Sequence, residues 1–425
     1  MKKILFTLLM IAAGCASAAA QKTERIDGQH LELLLSKQER LDSIYNYWND
    51  FVAQHPKDEA AWRNLFEVEN GMVEQLHFKD WDQGEELRKK LNVVGRMKQA
   101  IPDTYTFYYS AYEGSYREEE WTSEEFFTHR DEYADLAVDY IPDDAVASDY
   151  RKWVQYLIPK QDTVRMTRVL TNYYEKGLFT PEELQYHFNE LQGMEEGGVY
   201  LAPHEGDIIG KLILQLVKGV HRDKILYDEN CAVKKEYVGA VFKRIGLDFD
   251  DALWDQLWSP FQSKSYPAIF RYICAHAKRP LYVSATSATW INLGEGIPKD
   301  LQPHFYNEGL TLHYSPKNYD NMAVKRRNIE TRYWLEYLHM SFLPEKRQNP
   351  EGTLYAMYYI ILLRDQLPYY KERNPMRYAW LKELLTHIYQ RLDEEGFDME
   401  NLSLEGESPK YIGYQEIELK ELDQE

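Results

Sequence analysis

Residues Gly197 to Asp228 read GGVYLAPHEGDIIGKLILQLVKGVHRDKILYD, and the rest of the chain is organised around them. Val199 to Ala202 is a short apolar run behind a Gly-Gly break, the pattern of a strand buried on both faces. A polar corner follows at Pro203-His204-Glu205-Gly206-Asp207. From Ile208 to Val217 apolar residues recur at helical spacing, and Asp207 stands where an N-cap carboxylate would accept the first free backbone N–H groups. Lys224 to Tyr227 reads as a second strand, so the unit predicts a right-handed crossover between parallel strands. Ligands of such sheets bind beyond the carboxyl ends of the strands, which directs attention to the corner at His204, Glu205 and Asp207.

Working outward, Leu281 to Ser284 predicts a third parallel strand, and Leu310 to Tyr314 a fourth. Helices are expected between them over Asn230 to Ile245 and Ser265 to His276. Three strand ends then supply polar groups to one edge. They are His204, Glu205 and Asp207 after the first strand, Asp228 and Glu229 after the second, and Ser284, Thr286 and Ser287 after the third. Oxygens and an imidazole in that arrangement suit a hard divalent cation such as Mg²⁺ or Ca²⁺, or the hydroxyls of a sugar. Two carboxylates two residues apart also suit general acid and base work, provided the surroundings raise one pKa. The plainer reading leaves Asp207 as a cap, worth about 1 kcal/mol, with Glu205 solvated.

On the amino-terminal side the pattern is helical. Amphipathic runs at Glu39 to Gln54 and from Glu59 onward flank a break at His55-Pro56-Lys57-Asp58, and similar breaks recur at Pro102 and Pro142. The spacing, roughly 40 to 46 residues, is that of two-helix repeats of the tetratricopeptide type, unevenly kept. The aromatic residues there, Tyr45, Tyr47, Trp48, Trp62, Tyr105, Tyr108, Tyr109 and Trp153, fit either a packed core or a peptide- or sugar-binding groove. Thr122-Ser123-Glu124-Glu125 and Thr180-Pro181-Glu182-Glu183 are helix starts by composition. On the carboxyl-terminal side, Asn321 to Leu343, Thr353 to Tyr370 and Pro375 to Glu394 predict a helical bundle, followed by an acidic tail.

The expected layout is a leader over 1–20, a helical-repeat region over 21–195, a small α/β module over 196–320, a helical bundle over 321–398 and a tail over 399–425. The fold class is mainly α with a small α/β module, its sheet short and parallel with three or four strands. A chain of 425 residues exceeds one ordinary core, which agrees with two or three domains.

Met1 to Ala20 has two lysines, an apolar run and small residues ending Ala18-Ala19-Ala20, the form of a cleaved secretory signal. Cys15 offers lipidation as the alternative. No later run reaches the ~18 to 20 apolar residues that span a bilayer. The expectation is therefore a periplasmic or secreted protein. Its formal charge of −19 becomes more negative by two when Lys2 and Lys3 leave with the signal. Such a surface argues against nucleic acid and anionic membranes as partners. Cys231 and Cys274 remain, either as a disulfide or as two buried thiols. There is no phosphate-cradling Gly-rich loop, no Gly-x-Ser-x-Gly elbow and no paired histidines of zinc type.

The module resembles the extracytoplasmic C-terminal region of the bacterial protein O-mannosyltransferase-like membrane family, in a secreted stand-alone form. The likeness runs over roughly Tyr186 to Leu392. Leu214-Gln215, Gly219-Val220 and Asp223 match the family pattern, as do Lys278 to Val283, Glu308-Gly309-Leu310 and Asp320-Asn321. The family's two aspartates fall at Glu205 and Asp207, and its arginine position at His221. This chain departs from the pattern with Glu205 for the first Asp, Gly206 for an Asn and Ile208 for a Thr. The resemblance implies no reaction for the module, since the transferase chemistry belongs to membrane helices this chain lacks. Two functions follow as expectations: a non-catalytic envelope protein that binds a protein or glycan through repeat and strand-end surfaces, or an enzyme acting on glycan or peptide with Glu205 and Asp207 as acid/base pair or metal ligands.

Overall fold

A computed structural model describes residues 38–118, 120–202, 206–259, 262–285, 297–339 and 351–394. The leader, the acidic tail, and the site candidates His204, Glu205, Thr286 and Ser287 lie outside them. The fold is mainly α with one small α/β module, and the chain divides into two compact units, Met1–Val146 and Ala147–Glu425.

The first unit holds α1 (Gln38–Gln54), α2 (Glu59–His77), α3 (Trp81–Leu91), α4 (Val93–Ala100), α5 (Tyr105–Glu113) and α6 (Ser123–Asp139). Each start has a local cause. Asp58 accepts the Ala61 N–H at the head of α2, and Thr104 accepts that of Phe107 at α5. At α6 Thr122 accepts from Glu125 N while the Glu125 carboxylate accepts from Thr122 N, so the helix start carries a reciprocal capping box. The aromatic residues turn inward: Tyr45, Trp62, Tyr105, Tyr108 and Tyr109 are buried, and the Arg63 guanidinium lies 3.3 Å from the Tyr109 ring centre. They build this unit's core. Tyr47 alone among those named is exposed, at 44%.

The second unit begins with α7 (Ala147–Lys160), α8 (Thr163–Glu175) and α9 (Pro181–Gly193). Thr180 caps α9 by accepting the Glu183 N–H, and Pro181 takes the first turn, where its missing N–H costs nothing. Then come β1 (Val199–Ala202), α10 (Gly206–Leu212), a π-turn at Ile213–Val217, β2 (Ile225–Asp228), α11 (Lys235–Ile245), α12 (Asp251–Leu257), α13 (Gln262–His276) and β3 (Leu281–Ser284). The first three strands coincide with the apolar runs of the sequence to within a residue.

The sheet departs from the expected short parallel one: it is mixed and five-stranded, in the order β2-β1-β3-β5-β4. β1 pairs in parallel with β2 (Val199 with Ile225) and with β3 (Val199 with Leu281). The expected fourth strand exists as β5 (Thr311–Tyr314), but it runs antiparallel to β3, Ser284 opposite Thr311. A tight turn explains the reversal. β4 (Phe305–Asn307) ends at Glu308-Gly309, where Gly309 takes φ +129, and the chain folds straight back as β5. A three-residue strand is too short to show an alternation, so β4 leaves no sequence signature.

The carboxyl-terminal bundle also differs in detail. The long helix expected from Asn321 is only α14 (Asn321–Arg327), which widens into a π-turn at Asn328–Arg332. The Tyr333 hydroxyl then accepts the Leu310 N–H, and the Trp334 backbone is clamped by Asn189 of α9, whose Oδ1 accepts from Trp334 N (2.9 Å) while Nδ2 donates to Trp334 O (3.1 Å). These side-chain bonds replace the helical ladder. α15 (Glu351–Arg364), α16 (Leu367–Arg373) and α17 (Pro375–Glu394) follow, and Tyr359, Leu363, Leu381, Leu385 and Ile388 close a core against Tyr186 of α9.

Candidate functional site at the carboxyl ends of the strands

β1 leads to β2 on one side of it, and β3 lies on the other, so the carboxyl ends of β1 and β3 flank a topological switch point. Two helices close the space beneath it. α9 presents His187 and Glu190, three residues apart on one face, and α10 presents Asp207 and Lys211, four apart. Gly210 lets the helices meet, because a Cβ there would overlap His187 Cδ2.

His187, Glu190 and Lys211 are all 0% exposed and bonded to one another. Lys211 Nζ donates to Glu190 Oε2 at 2.5 Å and to the Asp207 carbonyl at 2.7 Å, and lies 2.9 Å from His187 Nδ1. It also sits 4.1 Å from the centre of the Tyr200 ring. Glu190 Oε1 accepts from Ser284 Oγ of β3 at 2.8 Å and from Tyr200 OH of β1 at 3.3 Å. One carboxylate thus ties two strands to two helices. His187 Nδ1 is also 2.9 Å from Glu190 Oε2 and can serve only one of its two neighbours at a time. Burial first, and then the Lys211 charge, pulls the His187 pKa down to about 4, so the ring is neutral and its Nε2 is buried without a hydrogen-bond partner among the described residues. Burial works to raise the pKa of Glu190, but Lys211 and His187 outweigh it and hold the carboxylate ionised.

Asp207 is the outlier. Burial, helped by the negative charges of Glu190 and Asp228 and opposed by Lys211, pushes its carboxyl up to about 7. The residue as a whole is only partly buried, yet its Oδ2 is sealed from solvent with no hydrogen-bond partner among the described residues. The capping role expected from sequence is not what it does: Asp207 lies inside the first turn of α10. Its charge bears on the hydroxyls of Tyr186, Tyr200 and Tyr355. The rings of Tyr186, Tyr355 and Tyr358 stand 5.1 to 5.9 Å apart, with Tyr358 37% exposed.

Of the site residues read from sequence, three converge here. Asp207 faces the switch point, Ser284 bonds to Glu190, and Asp228 is buried at the end of β2, where its Oδ1 accepts the Asn230 N–H. Glu229 is buried in the 3₁₀ turn that follows. Among the described residues no group of three His, Cys, Asp or Glu side chains is placed to hold a metal ion, and at Glu190 the counter-cation is the Lys211 ammonium. Sequence reading missed His187, Glu190, Lys211 and Tyr200. Their signal was present as two charged pairs at helical spacing, one on each side of the strand. Comparison with protein-family models, curated proteins and solved structures found no match.

Proposed function

We propose that the chain is an extracytoplasmic binding protein that engages a glycan, or a glycan-bearing partner, at the strand-end corner beside Asp207. The observation that carries this is the Asp207 carboxyl, on a partly exposed residue, whose Oδ2 has no hydrogen-bond partner among the described residues. An unpaired buried carboxylate costs about 1–3 kcal/mol or more, and a ligand hydroxyl donated to it would recover that cost. Tyrosine rings beside a carboxylate supply the combination of apolar face and hydrogen-bonding edge that a sugar uses. The reading places the binding function in the α/β module; in the first helical unit Tyr45, Trp62, Tyr105, Tyr108 and Tyr109 are core.

Thermal unfolding of Gln21 to Glu425 against a panel of neutral oligosaccharides tests it, with Asp207→Asn beside the wild type. A ligand at 100 times its dissociation constant stabilises by about 2.7 kcal/mol. A midpoint change present in the wild type and lost in the variant supports the proposal. Changes that are absent throughout, or equal in the two proteins, sink it.

An enzymatic reading is favoured by one further observation. A carboxyl with its pKa near 7 is matched to proton transfer at neutral pH. On this reading Asp207 is the acid or base, and Asp207→Asn loses turnover on a glycan or peptide substrate while still binding it.

A further inference from the structure

A concavity of about 570 Å³ in the second unit lies among α8, α11 and the π-turn after α10. Thr163 and Thr167 of α8 form one wall, Gln215 and Leu216 of the π-turn another, and Arg222 and Arg244 supply its charge. In a chain of formal charge −19, the described residues of this lining contribute two guanidinium groups and no carboxylate.

Arg222 is pre-organised. Its Nε donates to the Gln215 carbonyl at 3.1 Å, a bond that orients the guanidinium of an otherwise exposed residue. This carbonyl lies in the last turn before the helix ends at Val217, where carbonyls have no intrahelical partner. The Gln215 side chain then fixes the next loop, Nε2 donating to the carbonyls of His221 and Lys224 at 2.9 Å each. Gly219, at φ +72, lies directly under the guanidinium, and a Cβ there would sit 3.2 Å from Arg222 Nη2. The neighbouring acids are engaged elsewhere. Asp162 caps α8 and pairs with Arg165 at 2.7 Å, and Asp223 pairs with Lys224 at 2.8 Å and accepts the Gly197 N–H.

We propose that Arg222 and Arg244 form a binding site for a small oxyanion of the phosphate or sulfate class, free or carried as a monoester on a larger molecule. The chemistry is that of planar guanidinium forks meeting an oxyanion, the geometry for which arginine is better suited than lysine. Thr163 and Thr167 of α8 close the opposite side, the Thr167 hydroxyl already donating to the Thr163 carbonyl at 2.6 Å. The site rests on observations separate from those at Asp207, and neither reading depends on the other.

The test is isothermal titration of Gln21 to Glu425 with inorganic phosphate, sodium sulfate, glucose 6-phosphate and glucose 6-sulfate, chloride being adjusted to constant ionic strength. Arg222→Gln and Arg244→Gln are titrated in parallel. Both arginines are exposed, so the variants keep the fold, which circular dichroism and the melting midpoint verify. Saturable binding by the wild type, weakened about tenfold or more in each variant (about 1.4 kcal/mol), is the expected result. Tighter binding of the sugar monoesters than of the inorganic ions would identify a carried group as the natural source, and equal binding a free ion. Absence of saturation beyond the chloride control, or variants that bind like the wild type, overturns the proposal.

Discussion

Lys211 Nζ lies 2.5 Å from Glu190 Oε2, and neither side chain has any surface in contact with solvent. Removing two charges from water costs several kcal/mol per ion, which their attraction and further hydrogen bonds must offset. Here the ammonium has three neighbours and the carboxylate is bonded through both oxygens. The pair therefore joins α9 and α10 to β1 and β3 at the place where a ligand of this sheet would bind.

Breaking the pair from one side leaves the other charge buried alone. Lys211→Met is expected to cost about 3–5 kcal/mol, and Glu190→Gln a similar amount. The double variant Lys211→Met with Glu190→Gln should cost clearly less than the two single losses combined. Urea unfolding of the four proteins gives the coupling directly. Simple additivity would mean that the two groups do not depend on each other.

The pH dependence follows from two groups of opposite sign. Asp207 has its pKa raised from 3.8 to about 7 in the folded protein. The stability this contributes is fully present below about pH 4 and is lost as pH rises to about 7. His187 is lowered from 6.5 to about 4. Its contribution is present above pH 6.5 and is lost as pH falls toward 4. The two slopes oppose each other between these limits. Asp207→Asn removes one of them, so the variant should gain on the wild type as pH rises from 4 to 7, with a slope of at most about 1.4 kcal/mol per pH unit. Glu69 in the first unit, also raised to about 7, is the same in both proteins and drops out of the difference. Melting midpoints measured between about pH 4 and pH 8 decide the point, and a constant difference would contradict the assignment.

Gly210 gives a sharper packing test. In a free helix, alanine in its place would be stabilising by about 1 kcal/mol. Here the new Cβ would overlap His187 Cδ2 and meet Phe179 Cζ at 2.9 Å. Both neighbours are buried, so neither can retreat into solvent. Gly210→Ala is expected to destabilise by about 1–3 kcal/mol, read from the denaturant midpoint. A stabilised variant would mean that α9 and α10 are further apart than described.

These relationships show what the chain disclosed in advance and what it did not. Val199 to Ala202 announced β1 because a fully buried strand needs an unbroken apolar run, and Asp207 was conspicuous because it follows such a run. Glu190 and Lys211 were not conspicuous. Each sits among residues that suit an ordinary surface helix, and only the contact between two helices, joining residues 21 apart in sequence, turns them into a buried pair. The direction of β5 was equally hidden, since Thr311 to Tyr314 reads the same in either orientation. The reversal at Gly309 and the short β4 decide it, and both are set by tertiary contacts at Tyr333 and Asn321.

Cys231 and Cys274 were open in sequence between a disulfide and two thiols. In the fold both are free and buried. Burial raises both thiols above their ordinary range, that of Cys274 to about 12. At neutral pH neither is a thiolate, so neither is a competent nucleophile. Folded Gln21 to Glu425, which carries Cys231 and Cys274 alone, should therefore leave a bulky maleimide unreacted over hours, and unfolding it in guanidinium without reductant should expose two reactive thiols by mass. One or no label in the unfolded state would show a disulfide or another modification. Fast labelling of the folded protein would show that the α11–α13 side of the sheet opens readily. With both thiols reacting only after unfolding, the second unit holds together without a covalent link between them, by its core and by the Lys211–Glu190 pair.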